Sequence, residues 1–103
     1  MTPQLEKRIQ DIVNAVVDII KDNLQDEPFV LYLFGSRVHE GETLHSDIDL
    51  ALSAATLPDE TFRNIKRAVD DIRTLYSIDL INLQRVDPDF KNIVLSEAIK
   101  IHG

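Results

Sequence analysis

A chain of 103 residues is expected to form one domain spanning 1–103, large enough for a self-supporting core and too short for a second, substrate-holding domain. Its formal charge of −7 argues against a sequence-independent grip on nucleic acid, which needs cationic side chains against the phosphates. The absence of cysteine excludes disulfides and thiolate metal sites.

The N-terminus, Met1-Thr2-Pro3-Gln4-Leu5-Glu6, has no basic region followed by an apolar run, so it does not read as a signal peptide. No later stretch approaches transmembrane length, and the expected location is the cytoplasm. Residues 3–24 read as a helix. Leu5, Ile9, Ile12, Val13, Val16, Ile19, Ile20 and Leu24 recur at helical spacing, with Thr2 as cap and Pro3 in the first turn. Asn23 to Pro28 is a polar break. Phe29 to Phe34 is an unbroken apolar run, too short for an independent helix, and reads as a central strand buried on both faces. Gly35 to Ser46 reads as a turn, with or without a short helix, and then a loop.

Asp47 to Ser53 alternates. Ile48, Leu50 and Leu52 fall on one face, Asp47, Asp49 and Ala51 on the other, giving a strand with a core side and a working side. Pro58 opens a second helix, with Thr56 and Asp59 spaced as a capping box and a stripe of Phe62, Ile65, Val69, Ile72 and Tyr76. The same segment carries Arg63, Lys66, Arg67 and Arg73, but Asp59, Glu60, Asp70 and Asp71 interleave with them, as on a solvated helix face. Ser77 to Leu83 is a third strand with Asp79 in its middle. Asp87-Pro88 starts a third helix as cap and first-turn proline, with Phe90, Ile93 and Val94 as its apolar face. Ile99 and Ile101 alternate with Lys100 and His102 in a short edge strand. The element order describes an α/β (α+β) domain, a small sheet with helices packed against it.

Two short motifs carry the chemistry. Gly35-Ser36-Arg37 directly follows the apolar strand, and a glycine turn with a hydroxyl and free backbone N–H groups suits a phosphate. Ser46-Asp47-Ile48-Asp49-Leu50 puts two carboxylates on one side of a strand, where they repel unless a cation joins them. Oxygen-only ligands suit a hard ion such as Mg²⁺. Asp79, set among Ile78, Leu80 and Ile81, also calls for a cation or hydrogen-bond donors. Read singly, Gly-Ser is a common turn and Asp-x-Asp a solvated strand edge; their combination points to nucleotide chemistry. His39 and His45 read as solvated, Tyr32 and Phe34 as core, and Asn82 as a strand-end hydrogen-bonding residue.

With these placed, the chain resembles the minimal (MNT-type) nucleotidyltransferases of the DNA polymerase beta-like superfamily. Their pattern is a strand ending in Gly-Ser, a loop, then Ser-Asp-x-Asp-Leu, then a later strand bearing another Asp. Phe34-Gly35-Ser36-Arg37, Ser46-Asp47-Ile48-Asp49-Leu50 and Ile78-Asp79-Leu80 match it in turn, so the resemblance covers nearly the whole chain. It departs at one point: where small members often have a glycine soon after Gly-Ser-Arg, this chain has Glu40, with Gly41 one residue later.

The resemblance implies a small mixed sheet packed against helices and Mg²⁺-dependent transfer of a nucleotidyl group, AMP from ATP. Asp47 and Asp49 would bridge two Mg²⁺ ions about 3.5–4 Å apart. Asp79 would complete the ion nearest the acceptor and take its proton. Gly35 and Ser36 would hold the terminal phosphates, and Arg37 would offset pyrophosphate charge. It further implies a HEPN-type helical toxin as partner, adenylylated on a tyrosine hydroxyl, with this chain as its antitoxin. Neither direct nucleic-acid binding nor a membrane is expected; the choice between homo- and hetero-oligomer stays open. Two other readings stand beside this one: a subunit that neutralises a helical partner by contact alone, and a plain nucleotide sensor.

Overall fold

The computed structural model describes residues 7–25, 27–34 and 47–103. In chain order these form helix α1 (Lys7–Leu24), strands β1 (Phe29–Phe34) and β2 (Asp47–Ala54), helix α2 (Asp59–Asp70), strand β3 (Ser77–Asn82), helix α3 (Pro88–Glu97) and strand β4 (Ile99–His102). The four strands make one mixed sheet in the order β3-β2-β1-β4. β1 runs antiparallel to both β2 and β4, whereas β2 and β3 are parallel and are joined through α2.

The α1 stripe is the expected one: Ile9, Ile12, Val13, Val16, Ile20 and Leu24 are buried, Val17 joins them, and Ile19 is partly buried. The helix stops at Leu24. Gln25 takes a positive φ of 51°, a conformation that reverses the chain direction after a helix. The Glu27 amide then donates to the Leu24 carbonyl at 3.1 Å. Thr2, Pro3 and Leu5 lie outside the described residues.

One face of the sheet is sealed by α1 and α2. Leu31 and Leu33 of β1, Ile48, Leu50 and Leu52 of β2, and Leu80 of β3 meet the α1 stripe and Ile65 and Val69 of α2 in a single core. Removing each such side chain from water is worth about 1.5–3 kcal/mol. Phe62, Ile72 and Tyr76 pack at its margin. The opposite face is covered less completely. There Val94 of α3 is buried with Ala51 and Leu83, flanked by Tyr32, Phe34 and Ile81. β1 is therefore central, as expected, but sealed on one side and only half-buried on the other.

Two local expectations need correction. Thr56 and Asp59 do not form a capping box: α2 begins at Asp59, the cap position is Pro58, and no side chain accepts a hydrogen bond there. Nor is α3 apolar-face-down along its length. Val94 is buried against Ala51 and Leu83, whereas Phe90 meets only the edge of the Phe34 ring and Ile93 is exposed. The start of α3 is as expected, with Asp87 Oδ2 accepting from the Asp89 amide at 3.2 Å and Pro88 in the first turn.

Candidate active site

The alternation in β2 separates its two kinds of residue. Ile48, Leu50 and Leu52 are fully buried beneath the helices, and this turns Asp47, Asp49 and Ala51 to the opposite face. β3 divides in the same way: Ile78 and Leu80 join the α1–α2 core, so Asp79 and Ile81 share the face of Asp47 and Asp49. The parallel register pairs Asp47 with Ser77, Asp49 with Asp79 and Ala51 with Ile81. Across β1, Asp49 is paired with Phe34, the residue that immediately precedes Gly35. The three carboxylates picked from the sequence thus share one sheet face, at the end where β1 leads into Gly35.

Their surroundings differ. Asp47 and Asp79 are exposed and Asp49 is half-buried. Asp79 Oδ1 stands 3.9 Å from Nζ of Lys66 on α2, and the same ammonium donates to the Leu80 carbonyl at 3.3 Å. Lys66 was visible in the sequence only as one of several basic residues on a helix; nothing in its spacing marks it as Asp79's neighbour. The other three basic residues of that segment, Arg63, Arg67 and Arg73, are exposed, as a solvated face requires.

Gly35, Ser36 and Arg37, with His39, Glu40, Gly41 and His45, lie outside the described residues. Tyr32 and Phe34 pack in the lesser core, as expected, and Phe34 meets the Phe90 ring edge-on at a centroid distance of 6.2 Å. Asn82 is buried at the end of β3, and its Oδ1 accepts from the Gln84 amide at 3.0 Å, the strand-end role expected of it.

A hard divalent cation suits this donor set, which offers carboxylate oxygens from adjacent strands and no sulfur. As they stand, no three His, Asp or Glu side chains among the described residues are gathered closely enough to cage an ion. The backbone register sets Asp79 opposite Asp49, across the usual strand spacing of about 4.8 Å.

Comparison with known proteins identifies the family of this fold. The family described as "Polymerase beta, Nucleotidyltransferase" matches residues 14–103. No curated protein matches the chain significantly. Among solved structures, the chain is similar to a toxin–antitoxin complex with AMP-PNP, at 26% identity over 87% of this chain and 72% of that one, with a TM-score of 0.61. It is also similar to an MntA–HepT toxin–antitoxin complex, at 25% identity over 91% and 72%, TM-score 0.58. A third structure, a tri-AMPylated Shewanella oneidensis HEPN toxin in complex with MNT antitoxin, shares the fold at 24% identity over 91% and 71%, TM-score 0.65. The match over residues 14–103 spans both carboxylate-bearing strands and all of the described sheet, and the chain belongs to the polymerase beta nucleotidyltransferase family.

Proposed function

We propose that this chain, acting as a single domain in the cytoplasm, transfers AMP from ATP to a hydroxyl of a HEPN-type partner toxin, a tyrosine hydroxyl, and so serves as its antitoxin. The observation that carries the reading is the shared sheet face of Asp47, Asp49 and Asp79, with Asp49 paired to Asp79 in register. Its setting is supported by similarity to solved toxin–antitoxin complexes, one with AMP-PNP and one with a tri-AMPylated toxin.

Asp47 and Asp49 would hold two Mg²⁺ ions, and Asp79 would join them at the ion nearest the acceptor. Such ions stabilise charge on the attacking and leaving oxygens of an in-line displacement. Ser36 and the amides after Gly35 bind the terminal phosphates, with Arg37 offsetting pyrophosphate charge. The acceptor oxygen bonds to the α-phosphorus, the bond to pyrophosphate breaks, and the acceptor proton passes to the Asp79 carboxylate.

The test is the intact mass of the adjacent-gene product after incubation with this chain, ATP and Mg²⁺. Whole adenylyl increments that vanish with Asp49→Asn support the reading. An unmodified partner, neutralised equally by wild type and Asp49→Asn, would replace it with contact inhibition.

A further inference from the structure

Lys66 belongs to a helix face that is otherwise explained by packing. Its neighbour Ile65 is fully buried, as is Val69 one turn on, and together they seat α2 on the sheet. From that base the Lys66 side chain reaches β3, the outermost strand on its side of the sheet. Its Nζ donates to the Leu80 carbonyl at 3.3 Å and lies 3.9 Å from Asp79 Oδ1. The two contacts are unequal in kind. The hydrogen bond to Leu80 ties the ammonium to the backbone of β3. Asp79 is a short side chain, 63% exposed, and free to turn about its own χ angles. Of the two partners, the ammonium is the one with a second contact, to backbone.

We propose that Lys66 is a positioning residue for Asp79, an anchored internal cation that holds this carboxylate in competition with a divalent ion at the Asp47–Asp49–Asp79 face. The inference rests on the reading of that face as an ion-binding site. Two cations cannot share one carboxylate without repelling each other, so an ion arriving at Asp79 has to displace the contact or tolerate the ammonium. With the pair 44% and 63% exposed, the contact is weak and readily exchanged. It delays closure of the site and does not forbid it. Lys66 therefore sets the ion concentration at which the third carboxylate joins the other two.

The experiment is a titration of the full chain with Mn²⁺ alone, without nucleotide, following free Mn²⁺ by its electron paramagnetic resonance. Lys66→Met removes the charge and keeps the aliphatic stem; Lys66→Gln also keeps a hydrogen-bond donor, so one of the two suffices if the other folds poorly by circular dichroism. Either should tighten Mn²⁺ binding by roughly two- to five-fold, the size expected for releasing a ligand carboxylate from one exposed ion pair. Lys66→Arg should retain the wild-type affinity. Arg67→Met, the same charge change one residue along the exposed side of α2, should shift it much less. In an Asp79→Asn background the Lys66 effect should largely disappear. Unchanged or weaker affinity in the folded Lys66 variants overturns the proposal, and so does an equal gain from Arg67→Met. Wild-type protein that binds no Mn²⁺, or binds it independently of Asp49, overturns the reading of the face itself and this inference with it.

Discussion

Asp49 and Asp79 stand opposite each other across the parallel β2–β3 pair, on the sheet face turned away from α1 and α2. They lie far apart in sequence, and α2 intervenes between their strands. Two carboxylates so placed repel each other at neutral pH, and a cation between them converts that repulsion into binding.

Asp47→Asn and Asp49→Asn should each lower AMP transfer by about 10²-fold or more, the scale of losing a group that acts directly at the reacting centre. Turnover measured on folded, purified variants is the check. Native turnover in either would remove that residue from the catalytic set.

Asp79→Ala and Ser36→Ala should fail in different ways. Without Asp79 nucleotide should still bind while the single-turnover rate at saturating ATP falls about 10²-fold, as for a lost general base. Without the Ser36 hydroxyl the backbone amides remain, so nucleotide binding should weaken by about 0.5–1.5 kcal/mol with the chemical step only partly slowed. Equal defects in binding and in rate for the two variants would contradict this division of labour.

Mg²⁺ and ATP together should raise the melting temperature by more than the sum of their separate shifts. Ions held by protein carboxylates and by phosphates make each ligand part of the other's site, and ligands that bind only the folded state add to its stability. Thermal shifts with each ligand alone and with both decide the point; strict additivity would indicate separate sites.

Leu50→Ala should cost about 2–5 kcal/mol, because the side chain is fully buried between β2 and the two helices. That is a large share of the roughly 5–15 kcal/mol typical of a folded domain. Leu75→Ser, at a position 95% exposed, should change stability by no more than about 0.5 kcal/mol. Urea denaturation of both variants measures the contrast.

What could be read from the sequence was whatever a single element determines by itself. β1 was legible because its apolar run is flanked by sheet on both edges and packed on both faces. The two sides of β2 were legible because a strand's side chains alternate. The α3 start was legible because Asp87 supplies its own acceptor. Features set by how elements meet were harder. Thr56 and Asp59 have the spacing of a capping box, yet Pro58 occupies the cap position, so spacing alone misplaced the helix entry. Phe90 and Ile93 have the periodicity of a buried face, but only Val94 of α3 is buried against the sheet. The contact of Lys66 with Asp79 depends on where α2 settles beside β3, and no periodicity encodes that. The carboxylates themselves were legible from their motif, whereas their pairing needed the register.

The strand order also sets an order of failure. Asp47 and Asp49 ride on β2, which is held on both edges by β1 and β3; Asp79 rides on β3, which among the described residues has a sheet neighbour on one edge only. An outer strand held by one ladder opens at lower free energy than the strands inside it. Warming should therefore detach the third carboxylate while the β1–β2 pair and its two aspartates remain folded, so competence for transfer is lost before the molecule melts. On the proposed function, the thermal limit of transfer would then be a local property of the Ser77–Asn82 strand and of the α2 packing that holds it, and substitutions that secure that edge would extend the working range without touching the site.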